Sequence, residues 1–182
     1  TGVQTCALPI FLLMAISLGS CGNHPKNSDS KTEQYELFWA DEFDYKGKPD
    51  RNKWAYEEGF IRNNEKQYYT SRPENVRVDN GYLILETRKE TYKNKDYQSD
   101  AFEDRRHLHY IPKIDSAQYT SASVSTMGKV SWKYGKILVR AKLPEGRGLW
   151  PAIWMLGDNR GTVGWPKCGE IDIMEHVGYD RD

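Results

Sequence analysis

Three carboxylates fall within six residues near the C-terminal end of the chain, in Trp165-Pro166-Lys167-Cys168-Gly169-Glu170-Ile171-Asp172-Ile173-Met174-Glu175-His176. Their neighbours Ile171, Ile173 and Met174 are apolar, so the segment reads as a strand that carries like charges at close range, a load that structure alone does not require. On a pleated strand Glu170 and Asp172 share a face, while strict alternation sends Glu175 to the opposite one. One extra residue, a β-bulge at Ile173-Met174, returns Glu175 to the side of Glu170. Two carboxyls leaning toward each other across about 5–5.5 Å suit a double displacement, one group ionised to attack and the other holding a proton for the leaving oxygen.

The elements that must position these groups are strands. After residue 35 no helix of useful length is legible, and short apolar or alternating runs are separated by Gly, Pro, Asn and Asp. Expected strands are Glu36–Phe43, Val76–Arg88 with a turn at Asp79-Asn80-Gly81, Tyr119–Thr126, Lys136–Leu143, Trp150–Leu156 and Glu170–Val177. In Lys136–Leu143 the residues Ile137, Val139, Ala141 and Leu143 form a dry face opposite Lys136, Arg140 and Lys142. Lys89–Gln118 reads as a long polar loop at a rim. The sum is an all-β chain of two stacked antiparallel sheets.

Composition narrows the function. The 182 residues suffice for one domain with a real core. Lys plus Arg and Asp plus Glu balance at 26 each, which leaves no basic field for a phosphate backbone and excludes nucleic acid as the expected partner. Cys6, Cys21 and Cys168 are too few and too scattered for a disulfide framework or a zinc knuckle, and Cys168 is expected as a free thiol. Aromatics reach 13%, with 12 Tyr and 6 Trp, a supply of strand residues and of flat faces on which sugars stack.

Residues 1–20 read as a signal-peptide-like segment. Its apolar, uncharged run from Ala7 to Ser20 is too short to span a bilayer comfortably and has the length of a secretory h-region. No Lys or Arg precedes the run and the first residue is Thr, so residues 1–10 are expected to be non-native and are set apart from the fold. Leu18-Gly19-Ser20-Cys21 resembles a bacterial lipobox, with Cys21 as the lipidated residue. Residues 21–34 form a polar tether, and residues 35–182 the partial catalytic domain. The expectation is an exported lipoprotein held at the outer membrane or cell surface by its lipid alone, and a monomer.

The acidic motif resembles the bulged signature of glycoside hydrolase family 16. Five further blocks carry the resemblance: Trp39-Ala40-Asp41-Glu42-Phe43, Asn63-Asn64-Glu65-Lys66-Gln67-Tyr68-Tyr69-Thr70, Tyr119-Thr120-Ser121-Ala122-Ser123, Tyr134-Gly135-Lys136 through Pro144, and Gly148-Leu149-Trp150-Pro151-Ala152-Ile153-Trp154-Met155-Leu156-Gly157. They are most similar to the laminarinase group, the endo-acting β-1,3-glucanases. The resemblance implies a β-jelly-roll sandwich of the concanavalin-like kind, truncated at its C-terminal side, with a cleft across the concave sheet. It makes Glu170 the nucleophile, Glu175 the general acid/base and Asp172 the residue that separates their acidities, with β-glucan as substrate and no cofactor for catalysis. Trp165, Trp150 and Trp154 border the cleft, the first two favoured as sugar contacts, and Asn64 and Glu65 contact hydroxyls further along. Glu42 and Gly81 resemble positions that hold a structural calcium in relatives. Ser123 stands where many relatives have Arg. Mixed-linkage β-glucan, a marine galactan and non-catalytic glucan binding are the alternatives on the same scaffold. Because the family's domain continues past the position of Asp182, the chain as written is expected to be unstable or inactive.

Overall fold

The turn Asp79-Asn80-Gly81-Tyr82 sets the register of the largest sheet. Asn80 and Gly81 both take positive φ, 53° and 79°, the conformation a two-residue hairpin needs to match strand twist. It joins β5 (Val76–Asp79) to β6 (Tyr82–Lys93), pairing Val78 with Leu83 and Val76 with Leu85. The computed structural model describes residues 35–97 and 114–178, together with the backbone of residues 3–15.

Around this hairpin lie β1 (Val3–Ala15), β2 (Tyr35–Asp41), β3 (Ala55–Glu57), β4 (Gln67–Tyr69), β7 (Ser116–Ser121), β8 (Ser123–Ser125), β9 (Lys136–Lys142), β10 (Ala152–Leu156) and β11 (Glu170–Glu175). A single short helix, α1 (Arg160–Val163), is described. The large sheet runs β2-β1-β6-β7-β4, with β5 on β6 and β9 on β1, and two-stranded sheets are formed by β10-β11 and β3-β8. The chain is an all-β jelly-roll sandwich. One ladder departs from the expected antiparallel pattern: β4 and β7 are parallel. A connection that runs through β5, β6 and residues 94–115 is long enough to return in the same direction.

β1 holds residues that the sequence sets apart from the fold. It pairs with β2, β6 and β9, bringing Leu12 opposite Trp39 and Ile137. An uncharged apolar run has the composition of a strand buried in a sheet as well as that of a leader. Cys21 and the rest of residues 16–34 lie outside the described residues. Among the described residues no helix is long and apolar enough to cross a membrane.

The expected loop Lys89–Gln118 is shorter at both ends. β6 continues to Lys93 and β7 begins at Ser116, with Tyr92 opposite Ala117. Lys89, Glu90 and Lys93 do not disqualify the strand, because the two lysines are exposed and Glu90 accepts hydrogen bonds from Arg72 and Thr120. In β9 the alternation is as expected, yet Ile137 and Val139 are only half-buried and Ala141 is exposed.

The core lies elsewhere. Phe43, Trp54, Val76, Val78, Leu83 and Ala122 pack together, flanked by Trp39, Tyr45, Tyr56, Leu85 and Val124. Trp54 meets Trp39 edge-on at 5.5 Å and stacks against Phe43 at 6.2 Å between centroids. Beside the core a polar knot ties neighbouring strands of the large sheet together. The buried Asn75 side chain donates to the Glu86 carbonyl (3.0 Å) and to Thr120 Oγ1 (2.9 Å), and accepts from Thr70 Oγ1 (2.6 Å).

Candidate active site

β10 and β11 place the carboxylates. Leu156 pairs with Glu170 and Trp154 with Asp172; then the register slips, so that Ile153 faces Met174 and Ala152 faces Glu175. Ile173 is the extra residue, at the expected bulge. Directly paired residues share a face, and Leu156, Trp154 and Ala152 alternate on one strand. Glu170, Asp172, Glu175 and Trp154 therefore stand on the same side.

Two indoles fix the outer carboxylates. Trp165 Nε1–H donates to Glu170 Oε2 at 2.5 Å, and Trp150 Nε1–H donates to Glu175 Oε1 at 2.9 Å. An indole N–H can only donate, so each ring gives one carboxylate a fixed orientation while its face stays open. Trp150 is 65% exposed and Trp165 56%, enough to offer those faces to a ligand. The loop that returns Trp165 to the strand depends on a close approach at Gly157, where a Cβ would lie 2.3 Å from the Cys168 carbonyl oxygen. Gly169, at φ 77°, then turns the chain into Glu170. Cys168 is a free thiol.

Asp172 feels both neighbours. Its carboxyl is raised above the ordinary value, first by lost hydration and then by the charges of Glu170 and Glu175. Ile171, beside it on the strand, is 62% exposed. His176 is exposed too; its backbone N–H donates to the Pro151 carbonyl.

The second group of expected residues stands on the loop before β4. Asn63 and Asn64 both take φ 54°, a conformation asparagine tolerates. Asn64 is exposed, whereas Glu65 is half-buried and accepts a hydrogen bond from the Tyr69 hydroxyl at 3.0 Å. Burial lifts the Glu65 carboxyl above its ordinary 4.5, against the opposing pull of Tyr69 and Arg62. A raised folded value means that the folded state holds the proton more tightly than the unfolded chain. The stabilising contribution is complete below 4.5 and is lost as pH rises through the folded value. Glu65→Gln mimics the protonated form. It is expected to raise the melting temperature at about pH 7 and to leave it unchanged at about pH 4, as thermal unfolding at the two values would read.

The sequence reading passed over Glu57 and Arg62. They form an ion pair, and Arg62 lies 5.5 Å from the centre of the Trp154 ring, so the Asn-Asn-Glu loop reaches, through Arg62, the strand paired with the carboxylate strand. The signal available was an arginine immediately before that block. Glu42 is exposed and Gly81 sits in the β5–β6 turn. Among the described residues no group of three acidic, His or Cys side chains gathers.

A β-sandwich with three carboxylates and flanking tryptophans on one face is the architecture of a carbohydrate-cleaving enzyme. The family model described as "XgeA-like, catalytic GH16 domain" matches residues 84–181, just over half of the chain, and the chain belongs to glycoside hydrolase family 16. It is 44% identical to a β-glucanase of Rhodothermus marinus over 93% of its own length and 53% of that protein's. The laminarinase catalytic domain of Thermotoga petrophila superposes with a TM-score of 0.62 at 44% identity, over 80% of this chain and 52% of that one. A structure described with endo-acting O-glycanases of the human gut microbiota, which initiate mucin breakdown, gives 0.67 at 41% identity, over 76% and 47%. The chain thus spans about half the length of the relatives it matches.

Proposed function

We propose that the protein carrying this chain is a retaining endo-hydrolase of β-1,3-glucan. The observation that supports it most is the bulge at Ile173, which returns Glu175 to the face of Glu170. Glu170 attacks the anomeric carbon as Glu175 gives its proton to the departing glycosidic oxygen. Glu175, now ionised, takes a proton from water, whose oxygen displaces Glu170 and restores both carboxyls. Asp172, its acidity weakened first by lost hydration and then by both neighbours, buffers the charge between them. Trp165 and Trp150 orient the two carboxylates and hold sugar rings on their exposed faces.

The β-1,3 linkage rests on the likeness to the β-glucanase and the laminarinase. A second reading, a β-linked O-glycan, is favoured by the likeness to the O-glycanase structure. Reducing-sugar release by the intact gene product on laminarin, lichenan, agarose and mucin O-glycans separates them. Release from laminarin with little from the others is the expected result; release from mucin glycans alone would replace the first reading with the second. We also propose export and lipid anchoring at Cys21, from the apolar run that ends there. Fatty-acid labelling that vanishes in Cys21→Ala is the expected outcome.

A further inference from the structure

We propose that Arg62 is a specificity-determining residue of the cleft, one that holds the Trp154 ring and binds a neutral sugar unit on the β10 side of the carboxylates, away from the scissile bond; this rests on the hydrolase reading above. Three observations lead to it. Trp154 is cross-strand partner to Asp172, so its ring belongs to the carboxylate face. The Arg62 guanidinium lies over that ring and over the Tyr69 ring, 5.5 Å from each centroid. Its anchor is built into a strand pair: Glu57 on β3 is opposite Ser123 on β8, Arg62 Nη2–H donates to Glu57 Oε2, and Ser123 Oγ–H donates to the same oxygen at 2.5 Å.

Ser123 is small enough to leave room for a guanidinium that arrives from another loop. Both partners of the Arg62–Glu57 pair are only 17% exposed. Burial disfavours the Arg62 charge, and the hydrogen bond and charge of Glu57 more than restore it. Arg62 Nε is sealed from water without a hydrogen-bond partner among the described residues. A purely structural ion pair has no need to strand a donor between two rings, whereas a residue that must keep a planar edge flat on Trp154 does.

The charge environment names the ligand class. Glu57 and Glu65 both act on Arg62, so its positive charge is already answered by two carboxyls. Such a site has hydrogen-bond donors to spare and no net attraction for an anion. It suits a neutral hexose with adjacent hydroxyls, at a subsite away from the scissile bond, rather than a sulfated or uronic unit.

The test compares kcat and KM of the intact gene product on a long β-1,3-gluco-oligosaccharide and on a short activated aryl glucoside. The short substrate fills only the positions next to Glu170 and Glu175. Arg62→Gln is expected to lower kcat/KM on the long substrate by about 10–100-fold, chiefly through KM, and to stay within about twofold on the short one. Arg62→Lys, which keeps the charge and the fold but loses the planar fork, is expected to show the same length-selective loss in smaller measure. Equal loss on both substrates in the lysine variant would reduce Arg62 to a structural part and overturn the inference, as would no loss on either. Tighter binding of a sulfated oligosaccharide than of its neutral counterpart by the unaltered protein also overturns it. If the unaltered protein cuts neither substrate, the hydrolase reading fails first and takes this one with it.

Discussion

Glu175→Ala in the intact gene product is expected to lower laminarin cleavage by roughly 10²–10⁴-fold, yet to spare much of the first step on an aryl glucoside whose leaving group needs no proton. Glu170→Ala is expected to lose both, because without the attacking carboxylate no covalent intermediate forms. Azide separates the two roles by stereochemistry. In Glu175→Ala it enters the cavity left by the missing carboxylate, displaces Glu170 from the intermediate and gives a β-glycosyl azide, two inversions making a retention. In Glu170→Ala it takes the nucleophile's place directly and gives the α-anomer from a β-substrate, a single inversion. Product anomers read by NMR check the assignment. The opposite pairing would exchange the roles of the two residues, and unaltered rates in both variants would end the mechanism. The case rests on the face shared by Glu170 and Glu175 through the slip at Ile173, and on the separate indole donor each receives. Two carboxylates so alike in sequence must be told apart by their surroundings, and Trp165 on one and Trp150 on the other supply different ones.

The bulge was legible because a spacing of five conflicts with a period of two; geometry alone demanded one surplus residue between Asp172 and Glu175. The hairpin at Asn80-Gly81 was equally legible, since both residues accept positive φ. Charge misled at the end of β6, where Lys89 and Lys93 look like loop but are exposed residues of a strand, and the half-buried Glu90 accepts from Arg72 and Thr120. The parallel pairing of β4 with β7 leaves no local trace, because direction is set by a connection many residues long. The meeting of Arg62 with Glu57, Ser123 and Trp154 joins four segments scattered over the chain. A contact of that kind has no periodicity to betray it. The catalytic pair could be read from one strand, while its surroundings needed the assembled sandwich.

Asp41→Ala is expected to be the most destabilising single change in the sandwich. Asp41 ends β2 with its side chain 1% exposed, a position where a carboxylate survives only if its oxygens are satisfied. They are: Trp54 Nε1–H donates at 2.7 Å, the Tyr45 hydroxyl at 3.1 Å, Lys53 Nζ at 3.3 Å and the Phe43 N–H at 3.4 Å. Tyr45 is pushed up to about 12 by burial foremost, opposed by its bond to the Asp50 backbone and reinforced by the Asp41 charge, so it stays a donor across the working range. Truncation to alanine leaves the Trp54 N–H inside the core with no acceptor and the Lys53 ammonium without its counter-charge. Breaking such an arrangement from one side costs about 3–5 kcal/mol. For a domain of this size that is a drop of roughly 6–20 °C in melting temperature, read by thermal unfolding of the intact gene product. Asp41→Asn keeps one acceptor for Trp54 and adds an amide that faces donors, so its loss is expected to be smaller but still clear. An alanine variant that melts within about 2 °C of the parent would mean that water replaces the carboxylate there. The hinge between β2 and the Trp54 layer would then be hydrated rather than dry. The expected result is the dry one, because Trp54 is 6% exposed and packed between Phe43 and Trp39.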